Sequence, residues 1–194
     1  MHKQVARFAL IVLFFVAFTP VFAQTPGIDP SLLVSANAGD AAAQIRIGEV
    51  YAAGKIVGRD LSQAAEWYRK AAETGSVDGE LHLAALYRDG GKGFPRDMAQ
   101  AAAWYRKAAG QGDAGAQGIL GVLYSFGQGV QHNDVEAYYW LDLAAAAKGP
   151  NQAQYAANRQ VVGTRITADE LEDVQDRVAK WLAAHPRSSP SPAP

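Results

Sequence analysis

The sequence predicts an all-α protein, an α/α solenoid of three helix-turn-helix repeats of about 36 residues with capping helices at both ends. Three observations predict it. Gly39, Gly75 and Gly112 are spaced 36 and 37 apart, and Tyr51, Tyr87 and Tyr124 repeat those spacings. Trp67, Trp104 and Trp140 follow at 37 and 36, in a chain holding only four Trp, and Gly54, Gly90 and Gly127 form a fourth column. Each interval also carries two apolar stripes of helical period.

In chain order, the N-terminus reads as an export signal over residues 1–23. His2, Lys3 and Arg7 precede an apolar run from Phe8 to Phe18. Thr19-Pro20 breaks the run, and Val21-Phe22-Ala23 offers a small-residue cleavage site before Gln24. A membrane span needs about 20 apolar residues, more than this run supplies, so no stable anchor is expected after cleavage. Residues 24–38 read as a half-repeat cap: Asp29 is an N-cap with Pro30 at the first helical position, opening a short helix to Ala38.

The three repeats occupy 39–149, divided 39–74, 75–111 and 112–149. Their first helices carry Ala43, Ile47, Val50 and Tyr51 in repeat one, with Leu83 and Leu86, then Leu120 and Leu123, at the matching places. A small residue, Gly48, Ala84 or Gly121, recurs beside that stripe. Glycine inside a helix costs about 1 kcal/mol against alanine, so its recurrence implies close helix–helix approach. The second helices carry Ala64, Trp67, Tyr68, Ala71 and Ala72, repeated from Ala101 and from Ala137. This periodicity assigns the aromatics to the core. Asp60, Asp97 and Asn133 stand where N-caps are wanted, and Gly75 and Gly112 follow the second helices as C-terminal glycines. Asp40 and Asp113 suit the first turn of the next helix. The linking segments are Gly54–Arg59, Gly90–Arg96 and Gly127–His132, the second one residue longer.

Residues 150–184 read as two capping helices. A weaker one spans Tyr155 to Val162 and ends at Gly163. The other opens on the capping box Thr167–Glu170, buries Leu171, Val174, Val178, Trp181 and Leu182, and carries the pairs Asp173–Arg177 and Asp176–Lys180 on its outer face. Residues 185–194, rich in Pro and Ser, read as a disordered tail.

Composition excludes several functions. The net charge is −1, and loss of residues 1–23 removes Lys3, Arg7 and no acid, taking it to −3. With no basic block, a nucleic-acid partner is not expected. The absence of cysteine removes disulfides, thiolate metal sites and a cysteine nucleophile. His82 and His132 have no second His or Cys at helical spacing and match no zinc motif, so no metal or cofactor is expected. Gly90-Gly91-Lys92-Gly93 lacks the strand, the Lys-Ser/Thr and the helix of a phosphate loop and reads as a turn.

The columns resemble the Sel-one-like repeat, from Gly39-Asp40-Ala41-Ala42-Ala43-Gln44 through Trp67-Tyr68-Arg69-Lys70-Ala71-Ala72, and again through Leu83-Ala84-Ala85-Leu86-Tyr87 and Trp104-Tyr105-Arg106-Lys107. Repeat three carries it in Leu120-Gly121-Val122-Leu123-Tyr124 and Val135-Glu136-Ala137. The resemblance implies a right-handed superhelix and a scaffold or adaptor role, and the absence of a catalytic motif leads us to expect no enzyme. The expected function is an exported, monomeric interaction protein, periplasmic or secreted, binding a protein or peptide on its concave face. The alternatives are a cell-envelope hydrolase with a cleft between repeats, or a purely structural protein. Positions that vary beside the fixed columns are the candidate partner-binding residues: Gln44, Arg46, Glu49, Glu80, His82 and Gln117.

Overall fold

The computed structural model describes residues 27–186; the proposed signal at 1–23 and the tail from 187 lie outside them. Among the described residues there are nine helices: α1 (Pro30–Asn37), α2 (Ala41–Ala53), α3 (Leu61–Glu73), α4 (Val77–Asp89), α5 (Met98–Gly110), α6 (Ala114–Phe126), α7 (Asp134–Ala146), α8 (Gln152–Gly163) and α9 (Ala168–Ala184). The repeats are the pairs α2–α3, α4–α5 and α6–α7, and each helix packs on its neighbours in chain order from α1 to α8. Three full repeats and a half-repeat thus stack as an α/α solenoid.

Side-chain caps open every described helix except α8. Asp60, Asp97 and Asn133 accept backbone N–H bonds at the starts of α3, α5 and α7. Asp40 and Asp113 stand one place earlier than the first turn: they are themselves N-caps, accepting from Ala42 at 2.9 Å and Ala116 at 2.6 Å. A carboxylate there satisfies otherwise unpaired donors and meets the positive end of the helix dipole. Gly54 and Gly127 close α2 and α6 in the left-handed region. The longer segment after α4 is absorbed by a tight turn in which Gly91 and Phe94 exchange two backbone bonds, of 2.7 and 3.0 Å.

Close approach within each repeat explains the small-residue column. A Cβ on Gly48 would stand 2.5 Å from the Tyr68 ring, and one on Gly121 would stand 2.6 Å from Leu141 Cγ. Tyr68 and Leu141 are the large side chains of the second helix, so they fill the space the glycine leaves. Ala84 takes the same place in repeat two and is fully buried. The aromatics of the second helix divide in two. Tyr68 and Tyr105 are buried, whereas Trp67 and Trp140 are only partly so. Trp67 and Trp140 sit at the core's rim while Trp104 is buried in it, and in two repeats a lysine one turn on covers the ring: Lys70 lies 3.7 Å over Trp67 and Lys107 lies 3.6 Å over Trp104.

Successive repeats are also tied by hydrogen bonds at a fixed separation. Arg69 donates to the Tyr87 hydroxyl at 2.7 Å, and Arg106 donates to the Tyr124 hydroxyl at 2.8 Å. In repeat three Asp142 replaces that arginine and Arg159 of α8 supplies the cation, so the contact between second helix and next helix survives as an ion pair with the cation on the other side.

The C-terminal pair departs from the expectation in three ways. First, α8 begins at Gln152, three residues before Tyr155, because Ala153 and Gln154 extend the helix without showing in its apolar pattern. Second, α9 lies on α7 and makes little contact with α8. Its Val174 and Val178 are buried among Tyr138, Tyr139 and Leu143, and Trp181 reaches the Gly112 turn. The splay leaves a groove between α8 and α9 lined by Ala153, Ala156, Ala157 and Leu171 over Tyr138. Third, Asp176–Lys180 forms on the outer face, but Arg177 bonds Glu136 of α7 at 2.8 Å and stacks over Tyr139 in place of pairing with Asp173. A half-shielded carboxylate across the interface, with an aromatic face beneath, outcompetes an exposed intrahelical pair. The tail reading is corrected at its first residue, since His185 is the C-cap of α9 and stacks on Trp181.

Two glycine substitutions test the packing. Gly121→Ala should lower stability by about 1–3 kcal/mol through overpacking. Gly110→Ala, at a helical site with nothing within 4 Å of the new methyl, should raise it by about 0.5–1 kcal/mol. Urea-denaturation midpoints read both, and equal effects would contradict the close approach.

Candidate interaction surface

The first helices α2, α4 and α6 occupy equivalent places in successive repeats and carry three columns that are not fully buried, although Ile119 and Val122 pack partly against the core. These are Arg46/His82/Ile119, Glu49/Ala85/Val122 and Ala53/Asp89/Phe126, each spaced one helical turn from the next along its helix. None is buried, and Phe126 is 69% exposed, unusual for a large apolar side chain.

The face is graded along its length. At the repeat-one end it is charged: Glu49 Oε1 meets His82 Nε2 at 3.3 Å across the repeat boundary. In repeat two, Arg88 grips both carboxylate oxygens of its neighbour Asp89, at 2.7 and 2.9 Å, and donates to the Tyr105 hydroxyl at 3.1 Å. In repeat three the columns become Ile119, Val122 and Phe126. His82 also packs edge-on against the Tyr68 ring, whose hydroxyl is pushed up to about 12 by burial and then by the charge of Glu49.

Three of the six sequence candidates lie on this face: Arg46, Glu49 and His82. The other three do not. Gln44, Glu80 and Gln117 are buried, at 5%, 4% and 0% exposure, and cannot meet a partner on the surface. Gln44 Nε2 donates to the Ala36 carbonyl at 2.9 Å, and Gln117 Nε2 donates to the Ala109 carbonyl at 3.1 Å. Each thus ties a first helix to the end of the preceding helix. The sequence signal was available: the same amide occurs in two repeats, eight residues after an alanine near the end of a helix. Glu80 has no amide hydrogens to make that bond, and accepts from Gln111 Nε2 at 2.9 Å instead.

A cleft closes the repeat-one end of the face. Leu32 of α1, Val50 and Ala53 of α2, and Ile56 form its apolar part, with Arg46, Glu49 and Lys55 beside them. Leu32, Lys55 and Ile56 escaped the sequence reading because they lie in the cap and in a linking segment, outside the repeating columns. A second, polar cleft lies where α5, α6 and α7 meet, lined by Arg106, Tyr124, His132 and Glu136. His132 faces Asp134 at 3.3 Å, and Asp134 also pairs with Arg165 at 3.1 Å. Among the described residues no three His, Asp or Glu side chains gather closely enough to hold a metal ion.

Glu80 yields a test. Burial pushes its carboxyl up, opposed by the Gln111 bond and the Lys107 charge. A folded-state value above the unfolded one means that the folded chain holds the proton more tightly. The stabilisation is therefore full below the unfolded value and is lost as pH rises through the folded one. Glu80→Gln should remove that part of the pH dependence and let the new amide donate to the Ala72 carbonyl, adding about 1 kcal/mol at pH 7. Thermal melts of both proteins from pH 4 to pH 8 check it; a variant less stable than the parent at pH 7 would contradict the assignment.

Comparison with known proteins follows the same frame. Residues 41–76, 77–113 and 114–148 each match the Sel1 repeat, and each match contains one helix pair. Among solved structures, a Sel1 repeat protein from Oxalobacter formigenes is 31% identical with a TM-score of 0.58, over 67% of this chain and 95% of that one. Helicobacter pylori cysteine rich protein B is 22% identical with a TM-score of 0.49, over 64% of this chain and 93% of that one. The c5321 protective antigen of uropathogenic Escherichia coli, described as displaying an SLR fold, is 22% identical with a TM-score of 0.42, and this chain covers 52% of its length. No curated protein matches. With three consecutive repeats matched over more than half its length, the chain belongs to the Sel1 repeat family.

Proposed function

We propose that this chain is a protein-interaction scaffold of the bacterial cell envelope, exported by a cleaved N-terminal signal and acting as a monomer. The observation that carries the reading is the face of α2, α4 and α6, where a regular frame holds side chains that differ in every repeat. Rigid, repeated helices present such side chains at fixed spacing, which lowers the entropy lost on binding. The grading from Arg46, Glu49 and His82 to Ile119, Val122 and Phe126 fits an elongated partner that is polar at one end and apolar at the other. The face's own carboxylates, Glu49 and Asp89, already oppose His82 and Arg88, which suits a binding surface more than general acid–base work.

Photo-crosslinking residues placed at His82 and Ile119 should capture the same partner in cells, whereas Glu66 and Ala103, exposed on second helices, should not. Equal capture from both helix sets would remove the first-helix face from the reading. N-terminal sequencing of the envelope-fraction protein should begin at Gln24; retention of Met1 would refute cleavage.

A further inference from the structure

We infer that the cleft at the repeat-one end takes a peptide segment in which a Leu- or Phe-sized side chain lies next to carboxylates, an inference that rests on the scaffold reading. The cleft offers an apolar floor of Leu32, Val50, Ala53 and Ile56. Ile56 is 57% exposed, so a large part of that floor faces solvent. Two cations stand at its edge, Arg46 and Lys55, and neither is paired with any described residue. The one acid there, Glu49, faces His82. A local excess of positive charge on a chain of net charge −1 marks the site for an acidic ligand.

The chain's own ends do not complement it. The backbone passes the cleft at Gly27, where an added Cβ would stand 2.7 Å from Ile56 Cγ2, and then buries Ile28. Residues 1–26 contain Lys3 and Arg7 but no Asp or Glu, and residues 187–194 contain none either. If uncleaved, the N-terminal segment would set cation against cation; after cleavage, Gln24, Thr25 and Pro26 offer neither a carboxylate nor a Leu- or Phe-sized side chain. A second copy could offer the acidic surface of α9, with Glu172, Asp173 and Asp176 exposed, but that helix keeps its own apolar face buried on α7. A separate segment carrying both an apolar side chain and carboxylates meets both halves of the site.

The probe is a fluorescein-labelled octapeptide, Gly-Ser-Asp-Leu-Glu-Phe-Asp-Ser, titrated with the purified full chain and followed by anisotropy. Three controls accompany it: the peptide with its acids changed to amides, the peptide with Leu and Phe changed to Ser, and the Arg46→Glu/Lys55→Glu protein. Each control should weaken binding by about tenfold or more, as expected for loss of a paired charge or of an anchor. Raising salt from about 50 to about 500 mM should also weaken binding. Both substituted residues are exposed, and circular dichroism confirms that the variant is folded. Absence of binding, binding that ignores the acids, or binding unchanged by the double substitution would overturn the inference. So would concentration-dependent dimerisation that the same double substitution abolishes, since the cleft would then belong to a second copy. If the peptide fails while crosslinks from His82 and Ile119 persist, the scaffold reading stands and the cleft assignment alone falls.

Discussion

Each repeat depends on how close its two helices can come. A Cβ on Gly48 or Gly121 would lie inside the contact distance of Tyr68 or Leu141. In repeats one and three the absent side chain lets the first helix settle onto the large residue of the second, and repeat two holds no more than the methyl of Ala84 there. That contact sets the separation of the pair, and with it the spacing at which the next repeat meets it. The ties between repeats require that spacing. Arg69–Tyr87 and Arg106–Tyr124 form the same bond at the same sequence separation across two successive boundaries. The buried amides of Gln44 and Gln117 find a carbonyl eight residues back for the same reason.

Where the periodic contacts end, the geometry relaxes. An Asp142–Arg159 ion pair replaces the Arg–Tyr bond at the third boundary, which still docks α8. Beyond it α8 offers Ala153, Ala157 and Gln160, where earlier first helices offer Ala43, Ile47 and Val50. Such small or polar side chains give α9 little to bury against. Its own Val174 and Val178 find Tyr139 and Leu143 on α7 instead. Burial of apolar area, being non-directional, selects the larger surface over the paired topology. The result closes the array's end with a helix whose outer face is charged, as a terminal cap requires.

These contrasts explain how much was legible in the sequence. The frame was legible because it is written three times, and the caps of α3, α5 and α7 because Asp or Asn before an apolar stripe does one physical job. The solvent-facing columns were legible only in part. Single-helix periodicity separates an inner from an outer stripe, but Gln44 and Gln117 are buried by the preceding helix, which that periodicity does not describe. The same limit hid the partner of Arg177: Glu136 is 41 residues away, and the i−4 neighbour Asp173 was the only acid a helical wheel could offer. The candidate cleft was legible only through Arg46 and Glu49, since Leu32, Lys55 and Ile56 belong to no column.

Function follows the same division between what repeats and what does not. Residues that repeat are occupied with holding helices together, including the Tyr, Trp and Arg that look most suited to recognition. Arg69 and Arg106 spend their donors on tyrosines, and Lys70 and Lys107 cover the Trp rim. Arg46 and Lys55 have no such duty, and each has different neighbours from its counterparts in other repeats. Loss of an exposed cation of this kind alters the surface without touching the frame, whereas loss of a column residue disturbs every repeat that leans on it. Specificity can therefore vary in this architecture at little structural cost, at the non-repeating positions along α2, α4 and α6 and at the open repeat-one end.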